Sequence, residues 1–333
     1  MTVKPLAVRI AGLGSYLPER VVTSADLERE LSIPSGWVER VTGVKSRRYA
    51  GGENVSQMAA AAARDALKMA GLQPSDLDAI IGASSAPRQV IPCTAAFVQR
   101  ELDAPDGKSA CFDINATCLS FVFALQTAAH LINAGVYKTV LIFSSEMASF
   151  SRNPRQWESA VLFGDGAAAA VLTATPEGES GSIWNSRFVT YSSGADLTQL
   201  IGGGSFHHPN DPATTAEMNM FDMDGPSVFK KAVRLLPPFL EEFARDLPWK
   251  LQDFDQIIPH QASGHGLKML TARFGFRPDQ VFVHIQERGN CIAASIPIAL
   301  TEAVQAGRIQ RGHRVLLLGT GAGLSIGALA LTF

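Results

Sequence analysis

The stretch that decides the fold is residues 110–125, ACFDINATCLSFVFAL. It begins as a short apolar strand, passes through small and polar residues, and continues as an apolar helix that we expect to end at Asn133-Ala134-Gly135. Cys118 therefore falls where the strand gives way to the helix. Free backbone N–H groups and the helix dipole favour a thiolate there, which is the nucleophilic form of cysteine. The alternative is an inert cysteine buried in an apolar helix.

The composition is that of a large globular protein. The chain has 333 residues, of which 46% are hydrophobic and 18% charged, and this suits about two domains or one large α/β unit. The formal net charge is −2, so nothing favours nucleic acid or an anionic membrane as a partner. The apolar stretches are interrupted by Gly, Pro and charged residues well short of a membrane span.

The cysteines and histidines give no sign of a disulfide framework or a metal site. The cysteines are Cys93, Cys111, Cys118 and Cys291, without a CxxC pair, and the first residues lack the apolar core of a signal peptide. We therefore expect the protein to be cytoplasmic. His207 and His208 have no further ligands at useful spacing, so a surface loop is favoured over a metal site there.

The two halves of the chain follow the same order of elements. An apolar helix after Cys118 ends at Gly135, and another after Asn290 ends at Gly307. Cys118 and Asn290 are 172 positions apart, and so are Gly135 and Gly307. Each helix is followed by an apolar strand, a Gly-containing turn and a final strand. We predict two related α/β halves, residues 1–175 and 176–333. A pseudo-dyad between them would place Cys118 and Asn290 at one cavity.

Three further segments are candidates for chemistry. His260 lies in IPHQAS (258–263), Asn290 lies in RGNCIAAS (288–295), and a glycine-rich turn, GTGAGL, covers residues 319–324. Each has an ordinary structural interpretation when taken singly. A histidine after a strand is more often structural than catalytic, an Asn after Gly is more often a turn residue, and a glycine-rich turn between strands is more often a hairpin.

Together these segments resemble the thiolase-like condensing enzymes, and specifically the β-ketoacyl-acyl-carrier-protein synthase III family. The cysteine turn, Phe-Gly-Asp-Gly-Ala, Pro-His-Gln-Ala and Gly-Asn-x-x-Ala-Ala-Ser-x-Pro occur in the family's order and at about its spacing over nearly the whole chain. The resemblance implies a five-layered αβαβα fold of two duplicated halves, usually in a homodimer. It also implies a catalytic triad of Cys118, His260 and Asn290, with an oxyanion hole formed by the backbone N–H groups of Cys118 and Gly323.

The implied reaction is a decarboxylating Claisen condensation. Cys118 takes an acyl group from a coenzyme A or acyl-carrier-protein thioester, and a malonyl thioester then loses CO2 and attacks the acyl-cysteine. His260 and Asn290 donate hydrogen bonds to the enolate. No cofactor beyond these thioester substrates is implied, and the pathway is fatty acid or specialised-metabolite biosynthesis.

The sequence departs from the family where coenzyme A would bind. Trp37 matches the residue that stacks on adenine, but Val41, Pro226 and His265 replace an arginine, an asparagine and an arginine of the family pattern, and Trp157 falls near another arginine. These changes weaken the case for coenzyme A as the primer carrier. They leave open a carrier protein, or phosphate binding by Arg40, Lys45, Arg152 or Arg155.

The remaining expected substrate residues concern the acyl chain. Ile91 aligns with the residue that reaches into the partner's active site and limits chain length, and an isoleucine there excludes the glutamate base of head-to-head acyl-condensing relatives. Phe163, Met223, Phe229 and Ala262 are expected to line the channel, with ordinary core packing as the alternative.

A basic patch is the expected dock for an acidic acyl carrier protein, with scattered surface charge as the alternative. It consists of Lys230, Lys231, Arg234, Lys268 and Arg273. Three other functions compete with condensation: an acyltransferase working through Cys118 without condensation, a plant-type polyketide synthase, and a non-catalytic partner subunit. The complete triad argues against the first and third, and the shorter chain without a Gly-Phe-Gly-Pro-Gly loop argues against the second.

Overall fold

The computed structural model describes residues 5–333. The elements of the first half are β1 (Val8–Tyr16), β2 (Arg20–Thr23), α1 (Ser24–Glu30), α2 (Trp37–Thr42), β3 (Ser46–Tyr49), α3 (Val55–Ala70), β4 (Ala79–Gly82), α4 (Thr94–Glu101), β5 (Ala110–Asp113), α5 (Ser120–Asn133), β6 (Thr139–Met147), α6 (Trp157–Ala160) and β7 (Asp165–Ala174). Those of the second half are β8 (Ser182–Thr190), β9 (Thr198–Gln199), β10 (Asp222–Met223), α7 (Gly225–Arg245), β11 (Gln256–Pro259), α8 (Gly264–Arg273), α9 (Ile285–Arg288), α10 (Ser295–Gln305), β12 (Arg314–Gly321) and β13 (Ser325–Thr332).

Two main sheets share one topology. The first has the strand order β1-β7-β6-β4-β5 and the second has the order β8-β13-β12-β11. In both sheets a parallel pair (β4 with β6, β11 with β12) is followed by two antiparallel pairings. Val281 forms a parallel bridge to Ile257 in the place that β5 holds in the first sheet. The predicted duplication is therefore visible in the strand order.

The layers alternate between helices and sheets. One core cluster joins α5 and α10 to both sheets, through residues such as Phe121 and Leu300 with Ile142 and Leu317. A second cluster packs α3 and α4 on the outside of the first sheet, and a third packs α7 and α8 on the outside of the second. This confirms the five-layered αβαβα arrangement.

The helix α3 shows how the sequence specifies these contacts. Asn54 caps it by accepting from the backbone N–H groups of Ser56 (3.0 Å) and Gln57 (3.2 Å), and the Gln57 side-chain oxygen accepts from the Asn54 N–H. The alanine-rich face lies directly on β1, since a Cβ added at Gly14 would come within 2.1 Å of the Ala62 carbonyl oxygen. Small side chains on both surfaces therefore permit the close packing.

The structure corrects the register of the duplication. The segments Thr117–Leu119 and Ile292–Ala294 are matching 3-10 turns, and each leads into a central-layer helix that begins with a serine. The residue that corresponds to Cys118 is therefore Ala293 and not Asn290. The offset of 172 positions applies only to the ends of the two helices. It differs at their starts because α10 has 11 residues and α5 has 14.

The division at residues 175 and 176 falls between β7 and β8, where the chain passes from one sheet to the other; we retain it as our interpretation of the domain organisation. Among residues 5–333, no helix combines the length and apolar character needed to cross a membrane.

Candidate active site

The turn that carries Cys118 is fixed by short-range hydrogen bonds. The Asn115 side chain accepts from the Thr117 N–H and donates to the Ser85 carbonyl, both at 2.9 Å, and the Ser120 hydroxyl accepts from Ala116 at 2.9 Å. Thr117 has a φ of 52°, a left-handed conformation that is unusual for a β-branched residue. Such strain persists where the surroundings determine the conformation, so the turn presents Cys118 in a defined position.

A cavity of about 1300 Å³ lies at the carboxyl ends of the parallel strands. Cys118, His260 and Asn290 all line it, together with many apolar side chains. This arrangement brings the predicted triad residues to one space, while their catalytic roles remain a prediction. A pocket at the carboxyl ends of parallel strands is a common site for ligands in α/β proteins.

His260 follows β11 and is only 6% exposed. The backbone N–H of His260 donates to the Leu318 carbonyl at 2.7 Å. Gly319 lets β12 pass beside it, since a Cβ there would lie 2.9 Å from the His260 Cβ. Burial lowers the pKa of His260 to about 4, so the imidazole is neutral at neutral pH. Nδ1 is buried without a hydrogen-bond partner among residues 5–333.

Asn290 is held by backbone bonds to the segment that precedes β7. Its N–H donates to the Leu162 carbonyl at 2.7 Å, and its carbonyl accepts from Gly164 at 3.1 Å. Its side-chain oxygen accepts from the Ile292 N–H at 2.8 Å. The side-chain N–H₂ therefore remains as a donor.

A buried polar network, which sequence reasoning missed, lies behind these two residues. Glu302 on α10 binds His284 Nδ1 at 2.7 Å and Arg288 Nε at 2.8 Å. The Gln261 side chain accepts from the His284 N–H at 3.2 Å and donates to the Pro259 carbonyl at 2.9 Å. The network thus links the strand end before His260 to the turn before Asn290. No local pattern in the sequence signals it, because its members come from separate elements.

The electrostatics of Cys118 differ from the sequence expectation. Burial, and to a smaller extent the nearby Glu146 carboxylate, raise the pKa of the Cys118 thiol to about 12, although hydrogen bonds from the backbone amides of Ala322 and of Cys118 itself favour the thiolate. The expected low thiol pKa is therefore wrong for the ligand-free protein, because loss of solvent outweighs the turn and helix N–H groups. The resting group is the thiol.

Glu146 is a second cavity residue that the sequence did not reveal. It lies near the end of β6, is 1% exposed, and accepts from the N–H (2.6 Å) and hydroxyl (2.7 Å) of Ser85. Burial raises its pKa to about 7. Its position at the carboxyl end of a parallel strand was a usable signal, but the apolar run that marks this strand in the sequence ends at Phe143, whereas β6 continues to Met147.

The expected substrate residues divide into two groups. Phe163, Met223, Phe229 and Ala262 line the cavity with the triad residues. Trp37 and Ile91 do not line it. Trp37 packs edge to face on Trp157, with ring centroids 6.2 Å apart, and Ile91 is 79% exposed on the loop before α4. In one chain, neither residue is part of the pocket wall.

The structure places Ala322, and not the expected Gly323, where the second oxyanion donor would lie. Ala322 lines the cavity and Gly323 does not. The Ala322 backbone amide forms a hydrogen bond to the Cys118 sulfur, which lowers the pKa of the thiol. The turn that joins β12 to β13 directs the Ala322 N–H inward, while Gly323 continues the turn with a φ of 131°. The prediction of Gly323 was one residue too far along this turn.

The basic patch lies on the two outer helices α7 and α8. Lys230, Arg234, Lys268 and Arg273 are exposed and form no ion pair with any residue in the range 5–333, and Arg273 also lines the cavity. Lys231 differs, because its ammonium group donates to the carbonyl (3.0 Å) and hydroxyl (3.1 Å) of Ser193.

Known proteins resemble the chain throughout its length. Models described as 3-oxoacyl-[acyl-carrier-protein (ACP)] synthase III and its C-terminal part match residues 112–192 and 245–333. The β-ketoacyl-[acyl-carrier-protein] synthase III of Symbiobacterium thermophilum is 37% identical over 333 residues and 99% of each chain, and that of Clostridium acetobutylicum is 32% identical over 325 residues and 98% of each chain.

Solved structures agree. The crystal structure of 3-oxoacyl-[acyl-carrier-protein] synthase III from Aquifex aeolicus has a TM-score of 0.88 and 36% identity, over 98% of this chain and 100% of that one. A variant of OleA from Xanthomonas campestris also has a TM-score of 0.88 at 22% identity, which shows the shared fold alone. From its sequence and fold together, the chain belongs to the β-ketoacyl-acyl-carrier-protein synthase III family of condensing enzymes.

Proposed function

We propose that this protein joins an acyl primer to a malonyl thioester by decarboxylating Claisen condensation, through an acyl-cysteine intermediate. The observation that carries the proposal is the meeting of Cys118, His260 and Asn290 at one largely apolar cavity. A thiol at a defined turn supplies the nucleophile, and two N–H donors supply stabilisation for an enolate.

The first step forms the acyl-enzyme. The Cys118 sulfur attacks the thioester carbonyl, and its proton passes to the departing pantetheine thiol. The N–H groups of Cys118 and Ala322 donate to the oxyanion of the tetrahedral intermediate, each such donor being worth about 3–4 kcal/mol. Because the resting group is a thiol, deprotonation accompanies attack.

The second step forms the carbon–carbon bond. The malonyl carboxylate leaves as CO2, and the electron pair of the broken bond produces an enolate. The N–H groups of His260 and Asn290 stabilise the enolate oxygen. Its carbon attacks the acyl carbonyl and the bond to sulfur breaks. The β-keto product leaves, and the Cys118 thiolate takes up a proton from water.

The substrates are thioesters on pantetheine arms, and the reaction uses no further cofactor. An acyl carrier protein delivers the malonyl group at the basic patch on α7 and α8, where unpaired cations attract an acidic partner. The working form is a cytoplasmic homodimer, supported by the exposed apolar side chains of Val90 and Ile91. The aromatic and aliphatic cavity wall suits an acyl chain of several carbons.

Intact-protein mass spectrometry tests the proposal. The purified protein is offered acyl donors of two to fourteen carbons on coenzyme A or carrier protein, followed by malonyl carrier protein. An adduct on Cys118 that disappears with release of CO2 and a β-keto product is expected. An adduct that moves to an acceptor without CO2 would contradict condensation and identify an acyltransferase.

A further inference from the structure

One rim of the cavity is built by α2 and α6. Val41 and Thr42 at the end of α2 line the cavity, and so does Glu158 on α6. Trp37 and Trp157, on the same two helices, are in edge-to-face contact at 6.2 Å. The edge of one indole packs against the face of the other, and Trp157 is 36% exposed. This rim therefore presents an apolar side chain, a carboxylate and two mutually packed aromatic rings.

The cations near this rim are engaged by acids. Lys45 pairs with Glu39 at 3.9 Å. Arg152 and Arg155 pair with Glu30 (3.0 Å) and Glu217 (3.2 Å). Arg40 is the exception, since it has no ion pair within residues 5–333 and is exposed. The α2–α6 rim therefore carries one unpaired cation, Arg40, and the Glu158 carboxylate, which leaves little net positive charge there.

The nucleotide end of coenzyme A needs a positively charged surface. It carries a diphosphate and a 3′-phosphate, and proteins hold such groups with arginine forks, lysines or converging backbone N–H groups. Among the cavity-lining residues the arginines are Arg88 and Arg273. The Arg88 guanidinium is stacked 4.0 Å above the Phe97 ring, beside α4. Arg273 lies on α8, which also carries the unpaired Lys268. The helix α7, which carries Lys230 and Arg234, meets α8 where the rings of Phe229 and His265 lie 5.7 Å apart.

We propose that the acyl primer reaches Cys118 on the phosphopantetheine arm of a carrier protein docked on α7 and α8, and that the nucleotide of coenzyme A adds nothing to recognition. This inference rests on the proposed function and concerns only the carrier of the primer. A carrier protein brings one phosphodiester and an acidic surface, which match the unpaired cations of the α7–α8 side. The pantetheine and acyl groups need only the apolar channel, which both carriers would share.

The test compares three donors that bear the same acyl group. Rate constants for Cys118 acylation are measured with acyl-coenzyme A, acyl-pantetheine and acyl carrier protein. We expect coenzyme A and pantetheine thioesters to react within about threefold of each other, and the carrier-protein thioester to react at least tenfold faster at low salt. This advantage shrinks as salt screens the patch.

Charge substitutions sharpen the comparison. Lys268→Glu should lower the carrier-protein rate at least tenfold relative to the pantetheine rate, whereas Lys138→Glu, the same charge change at an exposed site on the other half, should leave the ratio unchanged. Val41→Arg places a new cation at the α2–α6 rim, where Val41 is 44% exposed. It should accelerate acylation by coenzyme A thioesters and not by pantetheine thioesters.

Two results would overturn the inference. Acyl-coenzyme A reacting tenfold or more faster than acyl-pantetheine would show that the nucleotide is recognised. Equal rates for all three donors would remove the role of the α7–α8 surface. Failure of every donor to acylate Cys118 would instead overturn the proposed function itself, and so the two failures are distinguishable.

Discussion

Replacing Gly164 by alanine should separate the two steps of the reaction. Gly164 lies between Phe163 and β7, and its N–H donates to the Asn290 carbonyl at 3.1 Å. A Cβ at this position would lie 2.2 Å from the Arg288 carbonyl oxygen and 3.2 Å from the Arg47 Cβ. The first contact is with backbone, so no side-chain rotation relieves it.

The size of the effect follows from these distances. Ordinary van der Waals contact begins near 3.4 Å, so the segment that ends at Asn290 must move by about 1 Å. Overpacking of this kind costs about 1–3 kcal/mol of stability. A displacement of about 1 Å at a reacting group lowers a rate roughly 10²-fold, equivalent to about 2.7 kcal/mol of barrier.

Only the condensing step should be affected. The turn that presents Cys118 is held by Asn115 and Ser120, neither of which is hydrogen-bonded to Gly164. We therefore expect Gly164→Ala to acylate normally and to consume malonyl carrier protein roughly 10²-fold more slowly in a single-turnover assay.

The control is Gly204→Ala, because a Cβ at Gly204 meets no atom within 4 Å. It should change neither step, and the melting temperature of both variants reports whether they fold. The reasoning would be refuted by a folded Gly164→Ala protein that condenses at the normal rate. An equal loss of acylation would also refute it, since the displacement would then fall on the Phe163 side.

Three further predictions concern the triad and its support. Cys118→Ala should lose acylation, whereas His260→Ala should keep acylation and lose malonyl decarboxylation; a His260→Ala protein that cannot be acylated would contradict this division of roles. Glu302→Gln should keep acylation and slow condensation about tenfold, because it misplaces Asn290. The control Glu242→Gln removes an exposed ion pair and should change neither step. Equal effects of the two variants on condensation would argue against positioning by Glu302. Because burial lowers the pKa of His260 from 6.5 to about 4, the unfolded state binds more protons between these pH values, so the free energy of unfolding should rise with pH across that window by up to about 3 kcal/mol. Denaturant titrations of the wild type and His260→Gln at both ends of the window check this, and an unchanged rise in the variant would assign it to other groups.

Local sequence patterns predicted the elements and most of the site. The Asn54 cap, the helix ending before Gly135 and the strand before His260 all depend on short-range chemistry that is present in the sequence. The duplicated order of elements was also readable, because each half repeats the same series of apolar segments. The assignment of Cys118 to a strand–helix junction followed from the same patterns.

The errors arose where contacts between distant segments decide the outcome. The Cys118 pKa depends on burial in the cavity wall and on Glu146, so the local helix argument gave the wrong direction. The choice of Ala322 over Gly323 depends on how the turn after β12 approaches Thr117. The network of Glu302, His284 and Arg288 has members on different elements and no spacing rule to reveal it.

The matching turns at Thr117 and Ile292 have a consequence for how this chemistry became possible. Both residues keep a left-handed backbone, with φ of 52° and 48°, yet a thiol follows the first and a methyl group follows the second. Two identical half-chains related by exact symmetry would present the same group twice across the cavity. Covalent fusion of the halves breaks that equivalence. It allows one copy to keep the nucleophile while the other specialises in handling the incoming carbanion, a division of labour that is unavailable to a symmetric pair.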